Sequence, residues 1–126
     1  MLAPAARARC VATALLAAVL LVAPAARAQD CDRLTTQAEM GRCAADRYKA
    51  ADQKLNQAYQ ALRGRLSAQQ KEMLKASQTA WLRFRDLECE FSVSGAGGGS
   101  IGPMLTAQCL AQRTEQRTRE LLAHAN

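Results

Sequence analysis

Apolar residues recur at helical spacing through the first half of the chain after residue 35. Steps of three and four residues separate the members of one run, which is the spacing of a single helix face. Before the run, Thr36 and Glu39 stand in the order of a capping box. Gly64 lies near its end and would cost about 1 kcal/mol inside a helix. The pattern predicts a first helix that starts after Thr36 and presents Met40, Ala44, Tyr48, Ala51, Leu55, Ala58, Leu62 and Leu66.

A second helical pattern begins at Ser67, which forms another capping box with Gln70. Its face runs through Met73, Leu74, Ser77, Trp81, Phe84, Glu88 and Phe91. Glu88 interrupts the apolar stripe, and Leu87 is the alternative at that point. We expect the helix to end between Ser92 and Gly95. The expected core members on this face are Met73, Trp81, Phe84 and Phe91.

A glycine-rich segment at 94–100 separates the second pattern from a third and predicts a turn. Pro103 suits the first turn of a further helix that ends near His124. This third face presents Leu105, Cys109, Leu110, Thr114, Arg117 and Leu121. No segment alternates with period two for long enough to indicate a strand. The sequence therefore predicts an all-α fold, a small antiparallel three-helix bundle.

The N-terminal residues have the pattern of a secretory signal. Arg7 and Arg9 precede an apolar run at 11–23, and a small-x-small site ends at Ala28. The run is shorter than the roughly 20 residues that a bilayer span needs. We expect residues 1–28 to form a cleaved signal peptide and residues 29–126 to form one domain, with no stable membrane insertion after cleavage.

Four cysteines follow the signal, at Cys31, Cys43, Cys89 and Cys109. Four cysteines allow three pairings. The helical pattern favours Cys89–Cys109 across the glycine-rich turn, which leaves Cys31–Cys43. A disulfide that closes a loop of roughly 20 residues contributes about 3 kcal/mol by the chain-entropy estimate. The chain contains no C-x-x-C motif, which is the cysteine spacing typical of metal and redox sites. Structural disulfides point to an oxidising compartment, so we expect a periplasmic or secreted protein.

Charge and residue types exclude several functions. The formal net charge is +6 and falls to +3 when the three arginines of the signal are removed. The remaining charges are mixed in sign, so no basic stripe for nucleic acid is present. His124 is the only histidine and lies too near the C-terminus for a catalytic triad. We expect no catalytic residue, cofactor or metal, and a protein that is not an enzyme.

Two further groups on the second helix have alternative interpretations. The carboxylates Asp86, Glu88 and Glu90 are compatible with an acid-pair hydrolase, but solvated pairing with neighbouring arginines explains them as well. Arg85 follows Trp81 by four residues, which allows a cation–π contact or an Arg–Asp network with Arg117. The simpler interpretation of that network is a polar layer that fixes the register of the helices.

The ordered motifs of the chain resemble the LprI-like lysozyme-inhibitor domain family of bacterial envelope proteins. The residues that carry the resemblance are Cys31, Thr36, Glu39, Met40, Cys43, Ala44, Tyr48, Ala51, Asp52, Leu55, Asn56, Tyr59, Leu74, Ser77, Gln78, Trp81, Phe84, Arg85, Asp86, Cys89, Gly98, Gly99, Ser100, Pro103, Cys109, Thr114, Arg117 and Leu121. The resemblance implies a small, secreted or periplasmic, disulfide-bonded helical domain that inhibits lysozyme and protects peptidoglycan. The named member of the family is a lipoprotein. This chain departs from it, because Cys10 precedes the apolar run and Cys31 lacks a lipobox.

Six residues are the expected contacts to a protein partner: Ser94, Gly97, Gly98, Ser100, Asp86 and Glu90. Backbone N–H groups of the glycine-rich turn would face the cleft carboxylates of lysozyme. The acidic residues would offer local complementarity to animal lysozyme, which is basic like this domain. The alternative function is a non-enzymatic envelope interaction domain with an unknown partner.

Overall fold

A computed structural model describes residues 31–96 and 99–125, apart from the side chain at position 32. The expected signal peptide at 1–28 lies outside the described residues. After a short 3-10 helix at Cys31–Arg33 come three long helices, α1 (Gln37–Arg63), α2 (Ala68–Ser94) and α3 (Gly102–His124). The described residues contain no strand. The all-α class is therefore confirmed.

Both predicted capping boxes are present at the helix starts. The backbone N–H of Glu39 donates to the hydroxyl of Thr36 at 3.3 Å, and the N–H of Thr36 donates back to the Glu39 carboxylate at 3.3 Å. The hydrogen bond from the Thr36 hydroxyl holds the pKa of Glu39 below its ordinary value. Ser67 and Gln70 make the matching pair of bonds at the start of α2. Local sequence therefore sets where both helices begin.

The close packing of α1 against α3 rests on small buried residues. Ala44, Ala51 and Ala58 are buried on α1, and Ala111 and Thr114 are buried on α3. Small side chains at a helix interface let two backbones approach, because interaxial distance depends on the contacting residues. Larger side chains then close one end of the bundle, in a cluster of Leu55, Leu62 and Leu121 with Tyr59, Leu66, Leu74 and Trp81 packed against it.

Helix α2 covers this pair with a different face from the one predicted. The expected core residues Met73, Phe84 and Phe91 are 65%, 55% and 79% exposed, and the alternative Leu87 is 55% exposed. Of the four expected core residues only Trp81 packs against the core, together with Leu74 from the same predicted face. The buried residues of α2 are Gln78, Arg85 and Cys89.

The disulfide between α2 and α3 accounts for this rotation of α2. Cys89 is bonded to Cys109 with a Cα–Cα distance of 5.6 Å, and Cys31 to Cys43 with 5.7 Å. These are the pairs that the helical pattern favoured. The bond requires Cys89 to face α3. Phe91 follows two residues later, so it lies about 200° away around the helix. The bond therefore turns that phenylalanine toward solvent.

An exposed ion pair joins α1 to α3 and gives a pH-dependent contribution to stability. Arg47 donates two hydrogen bonds to the Glu115 carboxylate, at 2.9 and 2.8 Å. These bonds hold the pKa of Glu115 below its ordinary 4.5. A lowered folded-state pKa stabilises the protein above the unfolded pKa and loses that contribution as pH falls through the folded value.

We therefore expect Glu115→Gln to lower the free energy of unfolding by about 0.5 kcal/mol at pH 7. The difference from the wild type should shrink as the pH falls through the folded-state pKa of Glu115 and disappear once the carboxyl is protonated in both states. Denaturant titrations at pH 7 and at a pH below that folded-state pKa measure this change. A difference that is equal at both values would contradict the assignment. Asp46→Asn, an exposed substitution on α1, is the matched control.

Candidate functional site

A buried arginine occupies the space between the three helices. Arg85 on α2 is 5% exposed, and its guanidinium carbon lies 5.4 Å from the ring centroids of both Tyr48 and Trp81. Its Nη1 donates to the Thr114 hydroxyl at 3.2 Å, and Nη2 pairs with Asp86 at 2.8 Å. One side chain thus contacts residues from α1, α2 and α3.

Arg117 continues these polar contacts along α3, and we call the two arginines with their hydrogen-bond partners the polar layer. Its guanidinium carbon lies 5.7 Å from the Trp81 ring centroid, and it donates to Gln78 at 3.1 Å and Glu120 at 3.0 Å. Trp81 therefore contacts two arginines. No buried side-chain nitrogen or oxygen in the described part of the chain lacks a hydrogen-bond partner. The layer satisfies its own polar groups, as expected of a layer that fixes helix register.

The three carboxylates of α2 have separate surroundings. Asp86 pairs with Arg85 at 2.8 Å, and Glu88 pairs with Arg113 on α3 at 2.9 Å. Glu90 is exposed. Asp86 and Glu88 are about 200° apart around the helix, so they face different sides. Asp86 and Glu90 are four residues apart on the same side of α2, and the pairing of Asp86 with Arg85 is of the kind that the simpler interpretation of these carboxylates expects.

The hairpin tip, residues 94–101, connects α2 to α3. Gly99 has φ of 143°, a region that favours glycine. Its carbonyl accepts a hydrogen bond from the N–H of Gly102 at 3.3 Å. Ser94 and Ser100 are exposed, whereas Gly97 and Gly98 lie outside the described residues. The Cys89–Cys109 disulfide closes the base of this tip.

Of the other predicted contacts, Glu90 and Asp86 lie on α2 before the tip. Glu90 is four residues before Ser94, about one helical turn away. Asp86 is a further turn back, and its carboxylate already pairs with Arg85. Among the predicted contacts that the structure describes, Ser94, Ser100 and Glu90 therefore lie at or beside the hairpin tip. Asp86 lies farther back and pairs with Arg85 of the polar layer.

An apolar face of α2, which the periodicity had assigned to the core, lies exposed to solvent. At 100° per residue its members fall within an arc of about 80°, away from the face that carries Arg85 and Cys89. We call it the outer stripe; its members are Met73, Ala76, Ala80, Phe84, Leu87 and Phe91. The sequence signal was present, because α2 has more large apolar residues than one face holds.

A groove of about 500 Å³ opens where the last turns of α1 and α3 meet the first turns of α2. Its walls include Leu62, Leu66 and Leu121, with Arg117 and His124 at the same opening. His124 is exposed.

No group of three or more metal-ligating residues occurs within the described ranges. No described helix is both long and apolar enough to cross a membrane.

Comparison with known proteins identifies the family. Residues 28–121 match the family described as Lysozyme inhibitor LprI. An uncharacterized protein of Rhizobium meliloti (strain 1021) is 36% identical over an alignment that covers 90% of this chain and 93% of the relative. No solved structure matches significantly. The family match spans the described helices up to Leu121, including both disulfides and the polar layer, and the chain belongs to the LprI lysozyme-inhibitor family.

Proposed function

We propose that this protein binds lysozyme and thereby protects peptidoglycan from lysis, without catalysing a reaction. The family supplies the partner class. The observation that carries the proposal in this chain is the hairpin tip, which is closed at its base by the Cys89–Cys109 disulfide. A loop held by a covalent bond loses less conformational freedom on binding than an unrestrained loop of the same length.

The exposed residues of the hairpin tip provide the chemistry for such a contact. Ser100 presents an exposed hydroxyl, and Glu90 adds a carboxylate one turn before the tip on α2. Ser94 is also exposed, but its hydroxyl donates to the Phe91 carbonyl at 2.7 Å, so it offers a partner an acceptor oxygen. Hydroxyl and backbone N–H groups suit the carboxylates of a glycosidase cleft. A glutamate beside the tip offers local complementarity to a basic partner, although the overall charges of the two proteins would repel each other.

The proposed location is the periplasm or the external medium. Two disulfides support it, because such bonds form and persist in oxidising compartments. We propose no nucleic-acid partner and no cofactor. The family relationship supports an extracytoplasmic protein of this kind.

The test is a turbidity assay of bacterial cell-wall lysis with purified, oxidised residues 29–126 titrated against an animal lysozyme. We expect saturable inhibition that the double substitution Ser94→Arg and Ser100→Arg weakens by at least about tenfold, since central contacts dominate binding energy. Gln53→Arg with Gln57→Arg adds the same charge on the exposed side of α1 and should leave inhibition unchanged. Absence of inhibition at high molar excess would refute the proposal.

A second candidate function is a non-enzymatic envelope interaction domain with a different protein partner. The outer stripe favours it, because a contiguous exposed apolar surface on a small protein commonly marks an interaction site. This alternative predicts a folded, disulfide-bonded protein that leaves lysozyme activity unchanged. The turbidity assay therefore distinguishes the two functions.

A further inference from the structure

We propose that the outer stripe of α2 is the interface of a homodimer, in which the α2 helices of two copies pair antiparallel about a two-fold axis. This inference goes beyond the lysozyme proposal and does not depend on it. The axis would pass between Asp86 and Leu87, so that residues 79–94 of each copy overlap.

The first observation is the concentration of large exposed apolar side chains at the centre of this overlap. Phe84, Leu87 and Phe91 are 55%, 55% and 79% exposed. Their spacing of three and four residues matches the seam of paired helices. Soluble monomers rarely expose a contiguous apolar patch of large side chains without a partner for it.

The second observation is that the outer stripe has a self-complementary shape. In the proposed register, Phe91 of one copy lies opposite position 82 of the other, between Ala80 and Phe84. Ala80 leaves the space that the phenylalanine ring would fill. Phe84 lies between Leu87 and Phe91 of the second copy, as a knob lies between residues of a facing helix. A two-fold axis forms each of these contacts twice.

The third observation is a pair of charges along one flank of the outer stripe. Arg83 and Glu90 lie within about 20° of each other around α2, and seven residues separate them by about 10 Å along the axis. Both are exposed, and neither forms an ion pair within the described part of its own chain. Antiparallel pairing brings like flanks together, so Arg83 would face Glu90 of the second copy, twice.

This self-complementarity is what favours a second copy over another partner. A basic partner such as lysozyme would be complemented by a flank of negative charge alone. This flank instead carries a positive Arg83 and a negative Glu90, at the separation that the two-fold register needs. The overlap is about 24 Å long, which corresponds to a small interface and a concentration-dependent dimer.

Sedimentation velocity of oxidised residues 29–126, from low micromolar to millimolar concentration, tests the proposal. We expect a reversible monomer–dimer equilibrium that Phe91→Asp weakens by at least about tenfold. Phe91 is 79% exposed, so this variant should keep the helical content and melting temperature of the wild type. Met73→Asp is the matched control, because Met73 is exposed on the same stripe but outside the overlap.

A charge exchange then tests the register. Arg83→Glu and Glu90→Arg should each weaken the dimer, and the double variant should recover it. An equimolar mixture of the two single variants should form heterodimers, since both cross-pairs become opposite in sign. Glu72→Arg, on the same flank outside the overlap, should leave the dimerisation constant unchanged.

A wild type that stays monomeric at all concentrations overturns the dimer. If the wild type is monomeric and Phe91→Asp still loses lysozyme inhibition, the stripe belongs to a lysozyme contact instead.

Discussion

Replacing Arg85 with alanine should lower the free energy of unfolding by about 3 kcal/mol, the range of large-to-small changes at buried sites. The side chain fills the space between Tyr48 and Trp81, so its removal leaves a cavity among three helices. The Thr114 hydroxyl, which is fully buried, also loses its hydrogen bond from Arg85. Chemical denaturation at pH 7 measures the change.

The aspartates should contribute little to this loss. Besides Asp86, Asp52 on α1 pairs with Arg85 at 3.8 Å. The two aspartates keep side-chain exposures of 43% for Asp52 and 60% for Asp86, so water solvates their carboxylates once Arg85 is gone. Arg85→Met, which keeps most of the volume without the charge, should therefore recover about half of the lost stability. If the methionine variant were as unstable as the alanine variant, the guanidinium contacts rather than packing would dominate. A loss below about 1 kcal/mol for alanine would contradict the role of Arg85 in the core.

The sequence predicted α1 in detail, because its signals are local and agree with one another. A capping box marks the start of the helix, and one apolar face at helical spacing supplies its buried residues. That face was assigned without knowledge of any other helix. The starts of α2 and α3 were predicted for the same reason, since a capping box at Ser67 and a proline at position 103 act within one turn.

The orientation of α2 was wrong because two apolar faces compete on that helix. Hydrophobicity alone favours the face with Phe84 and Phe91, since it carries the larger apolar side chains. The observed face instead buries Arg85 and Gln78. The burial of Arg85 depends on aromatic and hydroxyl partners from the other helices, and Gln78 accepts a hydrogen bond from Arg117 on α3. Such tertiary partners are not visible in the periodicity of a single segment. The position of Cys89 was the available clue, because its bond to Cys109 fixes which side faces α3.

The candidate site was predictable only in part. The exposed serines of the hairpin tip follow from a turn rich in small residues, and the structure places Ser94 and Ser100 at its surface. Asp86, another expected partner contact, keeps 60% side-chain exposure while it pairs with the arginine that fills the core, and no local pattern indicated that pairing. The pair of Glu88 with Arg113 joins residues 25 positions apart, which no local spacing rule relates. Long-range pairs of this kind require the packed arrangement of α2 and α3.

Replacing Cys89 and Cys109 together with serine should lower the free energy of unfolding by about 3 kcal/mol. The bond spans 20 residues, and a crosslink across a segment of that length removes conformational entropy from the unfolded chain. It also fixes the rotation of α2, because Cys89 is fully buried. Denaturant titration of the oxidised wild type and the double variant measures the difference.

The second disulfide distinguishes the two contributions. Cys31–Cys43 spans 12 residues, so the chain-entropy estimate gives its loss a similar cost of about 3 kcal/mol. That bond lies at the start of α1 and does not orient α2. Equal losses in the two double-serine variants would assign the stabilisation to the unfolded chain. A larger loss for Cys89 and Cys109, with changed aromatic circular dichroism from Trp81, would show that this bond also holds α2 against the polar layer. Unchanged stability in both variants would contradict a structural role for the disulfides.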